Sequence, residues 1–123
     1  MQITRISPQE AAEKLAEGWV YVDVREEIDF DAGHPRGAVN VPYSRNEERF
    51  VAAVRAATPV KRVVLGCKSG IVSVHAAEML ARAGFDVLEQ RAGFDGARGT
   101  FGQLEEPGWE RLGLPVEQEE DDS

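Results

Sequence analysis

Apolar residues along this chain follow two rhythms. Ala11, Ala12, Leu15 and Ala16 recur at the three- and four-residue spacing of a helix with one buried side. Ahead of them, Ser7-Pro8-Gln9-Glu10 has the form of a capping box, with Ser7 as N-cap, Pro8 at the first helical position and Glu10 three residues after the cap. Gly18 is placed to stop that helix. Phe50, Val51 and Val54 mark a second helix over residues 46–57. Val74, Ala77, Met79 and Leu80 mark a third over 73–83, stopped by Gly84. Between them stand short apolar runs that predict strands over 2–6, 19–24, 61–66 and 85–88, with a brief extended piece over 39–42. The run Val63-Val64-Leu65 is uninterrupted, as in a strand buried on both faces. Residues 25–38 are polar and turn-rich, with one helical turn around 27–31, and glycines at 93, 96, 99 and 102 predict loops and short turns from residue 92 onward. Strands alternating with helices in this order predict one α/β domain with a largely parallel sheet.

The length of 123 residues suits one domain and is too short for two ordinary ones. A composition of 42% hydrophobic and 29% charged residues is that of a soluble globular chain. No apolar run approaches the roughly 18 residues needed to cross a bilayer. The N-terminus lacks the basic-then-apolar build of a signal peptide, so a cytoplasmic protein is expected. The single cysteine, Cys67, excludes an intramolecular disulfide and any multi-cysteine metal site. A net charge of -8 disfavours nucleic acid and anionic membranes as partners. Most of that charge lies beyond residue 91, and the run from Glu117 to Ser123 is expected to be a solvated, poorly ordered acidic tail behind a domain of residues 1–116.

Candidate chemistry concentrates where the buried strand ends, in Leu65-Gly66-Cys67-Lys68-Ser69-Gly70-Ile71-Val72-Ser73. The carboxyl edge of an open α/β sheet is where ligands bind. A helix starting near Ser73 presents unpaired N–H groups and a positive dipole end. A loop wrapped around a central point adds more inward N–H groups and makes an anion nest. That field favours thiolate over thiol at Cys67, and Lys68 acts in the same direction. The pattern predicts a thiolate nucleophile beside an anion cradle. A cysteine after a strand also suits a small buried hydrophobe, and Ser69, Gly70 and Ser73 also suit an ordinary turn and N-cap.

Two stretches carry a resemblance that narrows these alternatives. One is Val22-Asp23-Val24-Arg25-Glu26-Glu27, continuing through Phe30, Gly33-His34 and Gly37-Ala38-Val39-Asn40-Val41-Pro42. The other is the six-residue loop from Cys67 through Val72, followed by Ser73, Ala76-Ala77, Leu80 and Gly84-Phe85. Gln90-Arg91-Ala92-Gly93-Phe94 then resembles a Gly-Gly turn in which Ala92 replaces one glycine. In this order they resemble a single-domain rhodanese, a sulfurtransferase module, over residues 3–116.

The resemblance implies a three-layer domain with a central, mostly parallel five-stranded sheet and helices on both faces. It also implies persulfide chemistry. Cys67 would take the sulfane sulfur of thiosulfate or of a persulfide donor and pass it to cyanide, a small thiol or a protein cysteine. Backbone N–H groups of Lys68, Ser69, Gly70, Ile71, Val72 and Ser73 would hold the negative charge, and Lys68 would help to bind the anionic donor. No metal, nucleotide or organic cofactor is called for. Asp23 and Arg25, two apart after a strand, point to one side and in the family tie loops together. His34 is expected to brace a loop rather than act as a base.

Departures from the family pattern set the competing readings. Val72 stands where many members carry Arg, which predicts weak thiosulfate turnover or a less charged or proteinaceous donor. It also keeps open a non-catalytic binding or redox-sensing module, against which Cys67 itself argues. A phosphatase or arsenate reductase on this fold would need an arginine six residues after the cysteine, where this chain has Ser73. The stretch from Gly93 to Trp109 is longer than in small members, and 99–108 is expected to lie on the surface rather than over the site.

Overall fold

The computed structural model describes residues 2–119. In chain order the elements are β1 (Thr4–Ile6), α1 (Pro8–Ala16), β2 (Val20–Asp23), α2 (Glu27–Ala32), β3 (His34–Pro35), β4 (Val39–Asn40), α3 (Glu47–Ala57), β5 (Arg62–Gly66), α4 (Val72–Arg82), β6 (Asp86–Gln90), β7 (Gly96–Arg98), β8 (Leu104–Pro107) and β9 (Val116–Glu117). The capping box at the start of α1 forms as read: Ser7 Oγ accepts from the Glu10 N–H at 3.1 Å, and the Glu10 carboxylate accepts from the Ser7 N–H at 3.0 Å. Asn46 caps α3 through the Arg49 N–H at 3.0 Å.

Five strands form one sheet in the order β1-β6-β5-β2-β4, with every neighbouring pair parallel. Alternation along the central strands divides the core in two. Val63 and Leu65 of β5 and Val22 of β2 pack with Phe50 and Val54 of α3 and Ala76, Ala77 and Leu80 of α4. Val64 and Tyr21 point the other way, onto Ala11 of α1, Phe94 and Trp109. Helices therefore cover both faces, and β5, the most buried strand, runs to its end beneath both layers. This is the three-layer α/β fold expected from the sequence.

Three local differences bear on the site. Helix α4 starts at Val72, one residue early, and its N-cap Ile71 makes no side-chain capping bond. Strand β6 runs to Gln90, two residues beyond the expected 85–88, and ends in Glu89 and Gln90, both fully buried. Their polarity hides them from a hydrophobic pattern. The stretch expected to be loops contains an antiparallel hairpin, β7 with β8.

Strand β9 pairs antiparallel with β3, so Glu117, the first residue of the expected tail, lies opposite His34. Glu119 donates its N–H to the Asp31 carbonyl at 3.1 Å. The last four residues of that expected tail lie outside the described residues.

Candidate active site

Cys67 follows directly on β5, 6% exposed, at the floor of an open cleft of about 400 Å³. The Gly70 N–H donates to Cys67 Sγ at 3.2 Å, and Ser73 Oγ lies 3.3 Å from the same sulfur. The N–H groups of Lys68, Ser69 and Ile71 have no backbone carbonyl acceptor among the described residues. The first turn of α4 adds N–H groups that lack an intrahelical partner. The sulfur thus has the Gly70 N–H as a donor and the Ser73 hydroxyl beside it.

The loop is tied down from behind. Phe94 and Asp95 donate their N–H groups to the carbonyls of Cys67 and Lys68 at 2.8 and 3.0 Å. Gln90 builds the turn that places them: its amide oxygen accepts from the Ala92 and Gly93 N–H groups at 2.8 and 2.9 Å, while its NH₂ donates to the Gly93 carbonyl. Gly70 adopts φ +83°, and a Cβ there would overlap the Arg91 carbonyl oxygen. Only glycine lets the loop approach β6 so closely.

The cleft is lined by apolar Val24, Tyr43, Ile71 and Val72 and by charged Arg25, Glu26, Asp29 and Lys68. The Lys68 side chain is 74% exposed at the rim, and its ammonium lies 3.9 Å from the Asp95 carboxylate. Its charge is therefore shared with an acidic neighbour rather than aimed wholly at the sulfur. Val72 contributes an isopropyl group to the wall, and Ser69 also lines the cleft. The hairpin β7–β8 is not among the residues that line the cleft, and residues 100–105 are exposed, while Gly108 is buried.

Asp23 and Arg25 form the loop tie expected of them. Arg25 donates to both Asp23 carboxylate oxygens, at 3.0 and 2.8 Å, and to the Gly33 carbonyl at 2.6 Å. Burial alone would lower the Arg25 pKa, but the Asp23 hydrogen bonds and charge outweigh it and raise it. The guanidinium also stacks 4.3 Å from the Phe94 ring centre. His34 is fully buried and stands outside the cleft lining. Its Nδ1 donates to the Phe30 carbonyl at 2.6 Å, Nε2 faces Glu117 at 3.3 Å, and the ring stacks on Phe30. It braces the α2–β3 corner.

Two residues beside the sulfur escaped the sequence reading. Glu89 accepts from Ser73 Oγ at 2.5 Å and from Arg5 Nε at 2.5 Å, and Arg5 Nη2 reaches the Gly70 carbonyl at 2.7 Å. A charged residue at the end of an apolar strand was the available signal. Strand register completes it, since Arg5 of β1 and Glu89 of β6 are direct parallel partners.

Comparison with known proteins agrees with this geometry. Residues 7–98 match the model of the rhodanese-like domain. The chain is 33% identical over 116 residues to the thiosulfate sulfurtransferase GlpE of Actinobacillus pleuropneumoniae, covering 93% of each protein. It is 27% identical over 118 residues to the Haemophilus influenzae protein of the same name, covering 95% of this chain and 97% of that one. Among solved structures it resembles Rv0390 from M. tuberculosis with a TM-score of 0.80 and 30% identity, over 96% of this chain and 99% of that one. A family match over four of the five sheet strands and the whole cysteine loop makes this chain a member of the rhodanese-like domain family.

Proposed function

We propose that this protein is a sulfurtransferase that moves a sulfane sulfur from thiosulfate or a persulfide donor, through a persulfide on Cys67, to cyanide or a thiol acceptor. The observation that carries the reading is the Cys67 sulfur at the cleft floor with the Gly70 N–H donating to it at 3.2 Å. In the first half-reaction a lone pair of the Cys67 thiolate forms a bond to the outer sulfur of the donor. The bond from that sulfur to the rest of the donor breaks, and sulfite or a thiolate leaves with its electrons. The new terminal sulfur carries the negative charge, and the N–H groups of residues 68–73 stabilise it as preorganised dipoles. In the second half the acceptor attacks that sulfur and Cys67 leaves as thiolate, which gives ping-pong kinetics.

The lining of the cleft supports a preference within this class. Val72 offers no hydrogen-bond donor where an arginine would offer several. Lys68 is partnered by Asp95. Apolar Val24, Tyr43 and Ile71 line the same cleft as the sulfur. A thiol-borne persulfide, small or proteinaceous, suits this wall better than doubly charged thiosulfate. The test is intact mass before and after incubation with each donor. The reading expects a gain of about 32 Da on the wild type, none on Cys67→Ser, and its removal by cyanide. A chain that takes up no sulfur from thiosulfate, glutathione persulfide or polysulfide overturns it.

A further inference from the structure

The most unusual group near the sulfur is Glu89, a fully buried carboxylate that the transfer chemistry does not require. Its Oε2 accepts from Ser73 Oγ at 2.5 Å, and Ser73 Oγ lies 3.3 Å from Cys67 Sγ, so thiol, hydroxyl and carboxylate form one chain of hydrogen bonds. A hydroxyl has one proton and two lone pairs. While that proton bonds to Glu89, Ser73 can only accept from the sulfur, which fits a Cys67 S–H. Once the sulfur is an anion, the hydroxyl must turn its proton toward it, and Oε2 then needs a proton of its own to keep the bond.

From this geometry we infer that Glu89 acts through Ser73 as the proton store for Cys67, an inference that rests on the sulfurtransferase reading. The Cys67 proton passes to Ser73 Oγ as the Ser73 proton passes to Glu89 Oε2. Thiol and carboxylate become thiolate and carboxylic acid, with no change in total charge and no electrons gained or lost. Arg5, held to Glu89 Oε1, faces one net negative charge in both states. The relay places the one negative charge on the sulfur that attacks the donor. When Cys67 is regenerated after transfer, the proton returns.

Other groups around the chain leave this role to Glu89. Arg5 on β1 and Arg25 beside Asp23 are guanidinium donors with no site that accepts a proton. Tyr21 on β2 is buried, and burial followed by the Asp23 charge holds its phenol far above the ordinary range. Lys68 and Asp95 sit at the solvent rim. Ser73 and Glu89 are the groups within the wall that can pass and keep the proton.

Because Cys67 is the only cysteine, alkylation by uncharged iodoacetamide reads this thiol alone. A thiol that loses its proton only to water gains about tenfold in rate per pH unit below its midpoint. A thiol sharing one proton with a carboxylate titrates as a coupled pair and leaves a flat step, with less than about a twofold change over two pH units, before the final rise. The step is expected in the wild type and in Ser73→Thr, and is lost in Glu89→Gln and Ser73→Ala. Far-UV circular dichroism and thermal unfolding check that each variant is folded. A single smooth rise in the wild type, or an unchanged step in folded Glu89→Gln, overturns the relay. Sulfur uptake measured by mass stays a separate readout: a wild type that loads sulfur without the step defeats only the relay. One that shows the step but takes up no sulfur defeats only the sulfurtransferase reading.

Discussion

Replacing Gly70 with alanine separates two demands that the cysteine loop makes on one residue. Gly70 and Gly37 share φ +83°, but a Cβ at Gly37 has nothing within 4 Å, whereas one at Gly70 overlaps the Arg91 carbonyl. Gly37→Ala therefore measures the left-handed backbone alone, about 1 kcal/mol. Gly70→Ala adds the overlap, which forces the loop away from β6. That movement stretches the bond from Arg5 Nη2 to the Gly70 carbonyl, now 2.7 Å, a charged hydrogen bond of about 1.5–3 kcal/mol. The total for Gly70→Ala is about 2.5–4 kcal/mol, and in a chain of this size each kcal/mol moves Tm by about 3–5 °C. Thermal unfolding should show Gly70→Ala melting about 8–20 °C below the wild type and Gly37→Ala only about 3–5 °C below. The displaced loop also takes the Gly70 N–H from the sulfur, so sulfur loading should fall with Gly70→Ala and hold with Gly37→Ala. Equal melting of the two variants, within about 2 °C, would refute the close-approach account.

Further outcomes follow from the same geometry. Cys67→Ser should abolish transfer to cyanide while leaving the unfolding midpoint within about 3 °C, since a hydroxyl nearly fills the thiol's place; full activity in a folded variant refutes the nucleophile. The exposed Lys68, already partnered by Asp95, should matter little: Lys68→Ala raises KM for thiosulfate no more than about threefold. Val72→Arg, which puts donors on the cleft wall, should lower KM about tenfold, on the scale of a charged hydrogen bond; thiosulfate kinetics indifferent to Val72→Arg would show that the backbone nest alone recognises the donor. Glu117 is held below the ordinary carboxylate value by the Gly37 N–H, against some burial, with help from His34. A carboxylate lowered on folding stabilises above its unfolded value and loses that contribution as pH falls through the folded one. Melting curves of wild type and Glu117→Gln should therefore differ near pH 7 and converge below about pH 4; a gap that widens in acid contradicts the assignment.

The parts of the site that local chemistry encodes were legible in the chain. The capping box at Ser7, the buried run ending at Cys67 and the Asp23–Arg25 tie each depend on neighbours a few residues away. What escaped depends on register or on distant chain. Arg5 meets Glu89 only because β1 lies beside β6, and neither residue has an apolar rhythm to mark it. The hairpin β7–β8 is built from glycines and glutamates, a composition that reads as turn. Lys68 has Asp95 beside it only because of the turn that Gln90 braces, far along the chain. Helix α4 begins at Val72 without a capping side chain, so nothing local marked its start.

The sheet order carries a consequence for how the molecule is made. Strand β1 occupies the sheet's edge and pairs with β6 alone, more than eighty residues later in the chain. Synthesis from the N-terminus must therefore pass Gln90 before the first strand has anything to join, and closing so long a loop slows its docking. Strands β2, β4 and β5 can assemble earlier, with Cys67 already at their edge. Until β1 arrives, the thiol loop has no Arg5 to hold the Gly70 carbonyl, and Glu89 has no cation beside it. The reactive centre is thus finished by a strand made well before it, and a nascent chain carries its cysteine in an open loop until β1 returns.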